Sequence, residues 1–158
     1  MAIEIERKFL VCNEGWREQV LSETHLMQGY LASTPVLTVR VRLDGGQGRL
    51  TIKGATRGIS RSEYEYPIPA EDAQAMLREL AETAIIDKIR HRVRCGDHLW
   101  EVDLFAGENA GLVLAEIELE TESESFERPA WLGAEVSDDP RYYNANLARH
   151  PFKDWRES

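Results

Sequence analysis

The sequence predicts an α+β protein that is mainly β: eight antiparallel strands closed into a barrel, a tunnel with a charged lumen and helices packed outside. Three observations predict it. Most of the 158 residues alternate between polar and apolar at the strand period of two. The polar face of strand after strand is densely charged. The sign of that charge segregates by strand, whereas ordinary solvated surface mixes signs within one strand.

Strands are predicted over 2–12, 23–33, 36–43, 48–54, 59–68, 84–95, 98–106 and 112–122. The first sets Glu4, Glu6 and Lys8 against Ile3, Ile5 and Phe9. Asn13 can then cap a short helix running through Trp16 and Val20. The second strand contains Gln28-Gly29-Tyr30, and the third sets Arg40 and Arg42 against Val39 and Val41. Gly45-Gly46, with Gly48 following, marks a hairpin turn into the fourth strand, where Thr51 and Lys53 oppose Leu50 and Ile52. The fifth sets Arg61, Glu63 and Glu65 against Tyr64 and Tyr66. A helix is predicted after Pro69, with Glu71 and Asp72 at its positive end and a stripe of Ala73, Met76, Leu77 and Leu80. The sixth strand sets Lys88, Arg90, Arg92 and Arg94 against Ile89 and Val93, and Gly96-Asp97 turns the chain. The seventh sets Glu101 and Asp103 against Val102 and Leu104, and the eighth sets Glu116, Glu118 and Glu120 against Ile117 and Leu119. The tail after Pro129 reads as short helices and turns. Nothing repeats at a fixed period and no low-complexity linker divides the chain, so residues 1–158 are expected to form a single domain.

Composition narrows the function. With 19 Lys+Arg against 28 Asp+Glu, the formal charge is -9, which argues against a nucleic-acid polymer or an anionic membrane as partner. No apolar run reaches the ~20 residues needed to cross a bilayer, and the first residues lack the pattern of a signal peptide. Cys12 and Cys95 are too few for a disulfide scaffold, and the four histidines show no ligand spacing. A cytoplasmic location is expected. The sequence leaves the assembly open between a monomer and a homodimer.

Closing the strands with the apolar set outward places the charged set in the lumen. Lys8, Arg40, Arg42, Lys53, Lys88 and Arg90 would then face Glu4, Glu6, Glu63, Glu65, Glu101, Asp103, Glu116 and Glu118. Converging guanidinium and ammonium groups suit a polyanion with several phosphates. Carboxylates without His or Cys suit a hard cation, Mg²⁺ or Mn²⁺. An apolar carrier lumen of the lipocalin kind is excluded by the alternation. The same face beyond the lumen, Arg92 and Arg94 at one strand end and Glu120, Glu122 and Glu124 at another, reads as solvated.

These residues resemble the CYTH superfamily, the triphosphate tunnel metalloenzymes. The likeness begins with Glu4-Ile5-Glu6-Arg7-Lys8, a Glu-x-Glu-x-Lys motif. It continues in order through Arg40-x-Arg42, Lys53, Glu63-x-Glu65, Lys88-x-Arg90, Asp103, Glu116-x-Glu118 and the tail segment Arg141-Tyr142-Tyr143-Asn144. It implies a tunnel holding a triphosphate, with metal on the acidic strands and hydrolysis or cyclisation as the chemistry. On this reading Glu4, Glu6, Glu116 and Glu118 are the metal-ligand candidates, with Asp103 as a further ligand or a partner to one. Arg40, Arg42, Lys53, Lys88 and Arg90 clamp phosphates, and Glu63, Glu65 and Glu101 support them. The resemblance also suggests a Lys8–Tyr30 pair acting on the reacting group, although Tyr30 suits a barrel-wall aromatic equally well. The expected reaction is metal-dependent hydrolysis of a small-molecule triphosphate, foremost inorganic tripolyphosphate to pyrophosphate and phosphate. The competing readings are a class IV-type adenylate cyclase, a thiamine triphosphatase, and a polyphosphate or nucleotide sensor without catalysis.

Overall fold

The computed structural model describes residues 3–155. Its strands are β1 (Ile3–Val11), β2 (Val20–Ser33), β3 (Leu37–Asp44), β4 (Gln47–Gly54), β5 (Ser60–Ile68), β6 (Ile86–Cys95), β7 (His98–Phe105), β8 (Val113–Glu118) and β9 (Leu132–Glu135), with helices α1 (Ala70–Glu79) and α2 (Asn144–Arg149). The sheet order is β5-β4-β3-β2-β6-β7-β8-β1-β9, and β5 also pairs with β1. That last pairing closes the first eight strands into an antiparallel barrel, leaving β9 as a flap on β1. Among the described residues, no helix is long and apolar enough to cross a membrane.

Local chemistry accounts for the elements. Asp44 and Gln47 flank a two-residue turn in which Gly45 and Gly46 both take positive φ (53° and 98°), the geometry that continues strand twist through a hairpin. Gly48 lets the start of α1 approach β4, because a Cβ there would stand 2.8 Å from the Ala73 Cβ and 2.9 Å from the Ile68 carbonyl oxygen. The outer wall of β1, β6, β7 and β8 buries Phe9, Val93, Trp100, Val102, Ala115 and Ile117 under Trp16, Leu119 and Trp131. Trp100 meets Phe9 and Trp131 edge to face at 5.5 and 5.6 Å. A second cluster lies at one barrel end, where Tyr30, Ile86, Phe105, Leu112 and Leu114 meet Tyr142, Leu147 and Ala148. The segment around α2 thus folds over that end, while α1 lies against the outer faces of β3 and β4.

Three boundaries differ from the sequence expectation. The helix expected through Trp16 and Val20 is a single 3-10 turn, Gly15–Gln19, with the Gly15 amide donating to Asn13 Oδ1 at 2.8 Å; β2 already begins at Val20. β8 stops at Glu118 instead of continuing to 122, because the Glu120 amide donates to the Glu124 carboxylate at 2.7 Å and turns the chain. The tail also contains β9, which joins β1 through Arg7 bound to Glu135 at 2.5 and 2.9 Å and through the Val136 amide donating to the Lys8 carbonyl at 2.8 Å.

Candidate active site

Strand register explains why charge sorts by strand. Across β1 and β8, Lys8 lies opposite Glu116; across β6 and β7, Arg90 lies opposite Asp103; across β4 and β5, Lys53 lies opposite Glu63; across the closing seam, Glu4 lies opposite Arg61. At these four ladders a basic position faces an acidic one, so the buried charges there meet a partner across the wall.

The pairs join into a network. Lys88 is fully buried 2.8 Å from Asp103, and Arg90 grips the same carboxylate through two hydrogen bonds of 2.8 Å. Arg90 also stands 3.3 Å from Glu101 and 3.8 Å from Glu116. Glu116 reaches Lys8 at 3.5 Å, and Lys8 Nζ donates to the Tyr142 carbonyl at 3.0 Å. A second group gathers on Glu4, which accepts from Lys53 at 3.0 Å and from Arg61 at 3.4 Å, with Glu63 3.3 Å from Lys53. On β3, Arg40 donates to Thr51 at 3.4 Å and stands 3.9 Å from Glu65, while Arg42 donates to Gln28 at 3.0 Å.

These environments move the ionisations apart. Burial alone would raise Asp103 and Glu116, but their cationic neighbours prevail: Asp103 lies far below the usual carboxylate range, and Glu116 is held at about 2 by Lys8 and Arg90. Glu4 is likewise held at about 2 against burial, chiefly by Lys53. Glu6 goes the other way, to about 8, because burial is reinforced by Glu116 and Glu4. Glu118, at the exposed rim and directly opposite Glu6, is also raised, by burial and by Glu4 and Glu101. Burial lowers Lys88 to about 8, and burial with Arg40 and Arg90 lowers Arg42 to about 9.

A cavity of about 390 Å³ opens onto part of this network. Glu4, Glu6, Lys8, Tyr30, Arg40 and Lys53 line it, as do Arg61 and the tail residues Ser137, Tyr143, Asn144, Asn146 and Arg149. Its donor set fits a hard divalent cation. Glu4 and Glu6 line the cavity, and Glu6 faces Glu118 directly across the ladder, a like-charge pairing that costs energy unless a cation sits between them; the Glu101–Glu116 pairing is already bridged by Arg90. Among the described residues no three acidic, His or Cys side chains are already drawn together as a metal cluster, since Glu4 and Glu116 turn toward lysine and arginine instead.

Residues 2–144 match the CYTH domain family. The chain belongs to that family. It is 44% identical over 157 residues to an inorganic triphosphatase from Acetivibrio thermocellus, covering 99% of this chain and all of that protein. It is 38% identical to an inorganic triphosphatase from Nitrosomonas europaea, across 92% of this chain and 96% of the relative. A crystal structure of an inorganic triphosphatase superposes with a TM-score of 0.68 at 36% identity, covering 94% of this chain and 95% of that one.

Within this CYTH barrel the sequence-derived residues fall into three groups. Glu4, Glu6, Lys8, Tyr30, Arg40 and Lys53 face the cavity. Lys88, Arg90, Asp103 and Glu116 are buried and joined to it through Lys8. Glu63, Glu65, Glu101 and Glu118 flank the network nearer its rim, and Arg42 lies in the lumen behind the cavity, bound to the buried Gln28. Asp103, read from sequence as a ligand or its partner, has both oxygens taken by Arg90 and Lys88. Tyr30 lines the cavity while its ring packs in the apolar cluster at the barrel end. Sequence reasoning gave no role to Gln28, Arg61 or the tail's lining residues, of which Tyr143 and Asn144 entered only through the family likeness. Arg61 was legible as a member of the Glu63–Glu65 face; the tail residues carry no periodic signal, because only the folding of α2 over the barrel end brings them to the cavity.

Proposed function

We propose that this protein hydrolyses inorganic tripolyphosphate to pyrophosphate and phosphate with the help of Mg²⁺ or Mn²⁺. The observation that carries the reading is one cavity lined by Lys8, Arg40, Lys53 and Arg61 beside Glu4 and Glu6, with the buried charges Lys88, Arg90, Asp103 and Glu116 joined to it through Lys8. The names of the two relatives and their near-complete coverage support it.

Tripolyphosphate carries about five negative charges when fully ionised, and a confined site must offset them. Arg40 and Lys53 face the cavity and would receive the phosphates first. Arg42, Lys88 and Arg90 extend the positive wall, and Asp103 holds Lys88 and Arg90 in place. Lys8, buried beside Glu116, would donate a hydrogen bond to the phosphoryl group under attack as charge shifts over its oxygens. Water adds to one terminal phosphorus, the P–O bond to the remaining pyrophosphate breaks, and one proton is released to solvent or to the departing oxygen. Among the described residues no Ser-His or Cys-His pair offers itself as a covalent nucleophile, so attack by water is the direct route. Glu6 and Glu118, with Glu4 and Glu116, would hold the divalent cation, which when bound supplies charge compensation and lowers the pKa of coordinated water.

The test is phosphate release from tripolyphosphate, thiamine triphosphate and ATP, with cyclic AMP assayed in parallel. Tripolyphosphate should be turned over fastest, with activity lost in excess EDTA. Glu116→Gln and Lys8→Ala should each lower kcat by at least about a hundredfold while the chain stays folded, the scale of removing one transition-state contact. Binding of tripolyphosphate without phosphate release under either cation would make the protein a sensor.

A further inference from the structure

Gln28 is fully buried on the lumen face of β2, directly across from Arg42 on β3. Its Oε1 accepts a hydrogen bond from Arg42 Nε at 3.0 Å. An arginine offers only donors, so the amide oxygen must face it and the NH₂ group must turn away. That group, Gln28 Nε2, is buried with no hydrogen-bond partner, and so is the Nε of Arg40, two residues along the same face of β3. Buried donors are nearly always satisfied, and two orphans on adjacent strands of one lumen call for an acceptor supplied from outside the chain. We propose that Gln28 is a phosphate-binding residue: Nε2 donates to a phosphoryl oxygen beside Arg40, while Oε1 keeps the Arg42 guanidinium turned to the same group.

A neutral donor suits this place. Burial first, and then the charges of Arg40 and Arg90, already depress the ionisation of Arg42. Another cation would deepen that repulsion, whereas a carboxamide adds a hydrogen bond with no charge and accepts from Arg42 in the same arrangement. The inference rests on the triphosphate reading of the lumen and adds a specific contact to it.

Gln28→Met keeps the volume but removes both polar ends. Gln28→Glu keeps an acceptor for Arg42 and turns a carboxylate oxygen where Nε2 stood. KM for tripolyphosphate and the rise in melting temperature that tripolyphosphate produces are to be measured in wild type and both variants. Gln28→Met should raise KM about tenfold, the loss of one hydrogen bond to a charged acceptor, with the effect falling mainly on KM and the melting shift reduced. Without ligand two changes oppose each other in this variant, the unpaired Nε2 removed and the Arg42 Nε left without its acceptor, so the ligand-induced shift and KM are the deciding readouts. Gln28→Glu should bind more weakly still. If Gln28 only positions Arg42, Gln28→Glu will bind better than Gln28→Met, and that order overturns the proposal, as does an unchanged KM in Gln28→Met. Should Gln28→Met fail to fold, Gln28→Glu against wild type decides, with unimpaired binding overturning the assignment. If wild type neither binds nor hydrolyses tripolyphosphate, the functional reading itself fails; wild-type turnover with indifferent Gln28 variants sinks only this assignment.

Discussion

Asp103 shows how a single carboxylate can organise a basic lumen. It is fully buried, and Arg90 and Lys88 both close on it at 2.8 Å. Removing one member of a buried charge cluster leaves its partners desolvated and uncompensated, typically at a cost of about 3–5 kcal/mol. Asp103→Asn should therefore lower unfolding free energy by about 3 kcal/mol, read from the urea midpoint at constant m-value, and abolish most turnover, because two cations lose their anchor together. A change below about 1 kcal/mol would mean that Lys88 and Arg90 find other partners and that Asp103 is not their organiser. Sequence alternation is enough to put Asp103, Lys88 and Arg90 on one face. It is silent about Gln28, since an uncharged residue on a charged face carries no distinguishing signal until its neighbour across the ladder is known.

Among the elements, β9 is the one that pattern could not reveal. Its four residues, Leu132-Gly133-Ala134-Glu135, contain a glycine and no sustained alternation; they form a strand because β1 offers them an edge, and because Arg7 holds Glu135 from the adjoining strand. The hydrogen bond from Arg7 draws the Glu135 carboxyl below its usual range, with Ser137 adding a second donor. A depressed folded-state pKa contributes stability that is present above the unfolded value near 4.5 and lost as pH falls through the folded value. Glu135→Gln should thus destabilise the protein at pH 7 by about 0.5–1 kcal/mol, as expected for a partly exposed pair. The difference from wild type should shrink once the pH drops below about 4.5; a difference that persists at pH 3 would assign the effect to packing of β9 instead. The eight barrel strands were legible for the opposite reason. Each has enough alternating residues to declare its own faces, whereas the end of β8 depended on a local side-chain contact between Glu120 and Glu124 that periodicity does not encode.

At the scale of the whole molecule the barrel has one weak joint. Among the described residues, β1 and β5 pair through Ile3–Ser62, Glu4–Arg61 and Ile5–Ser60, with the Glu6 amide donating to the Ile59 carbonyl at 3.3 Å, whereas β6 meets β7 along eight residue pairs. The seam is short because β1 has two neighbours to serve on that side: its first residues meet β5 and its last meet β9. What reinforces the joint is charge, since Glu4 is held by Lys53 from β4 and Arg61 from β5. A polyanion and a divalent cation bound in the lumen would engage Glu4, Glu6, Arg40 and Lys53 together and so tie β1 to β3 and β4 across the seam. Binding at a hundred times Kd adds about 2.7 kcal/mol to the unfolding free energy. For a domain of this length that is a rise of about 5–10 °C in melting temperature. Hydrogen exchange should show where it arises. Amides of residues 3–5 and 60–62 should exchange well before those of β6 and β7 in the free protein, and tripolyphosphate with Mg²⁺ should protect them more than any other strand pair. A melting shift of the expected size with protection spread evenly over the barrel would mean that the ligand stabilises one wall without bridging the seam, and the tunnel would then owe its closure to its own ion pairs alone.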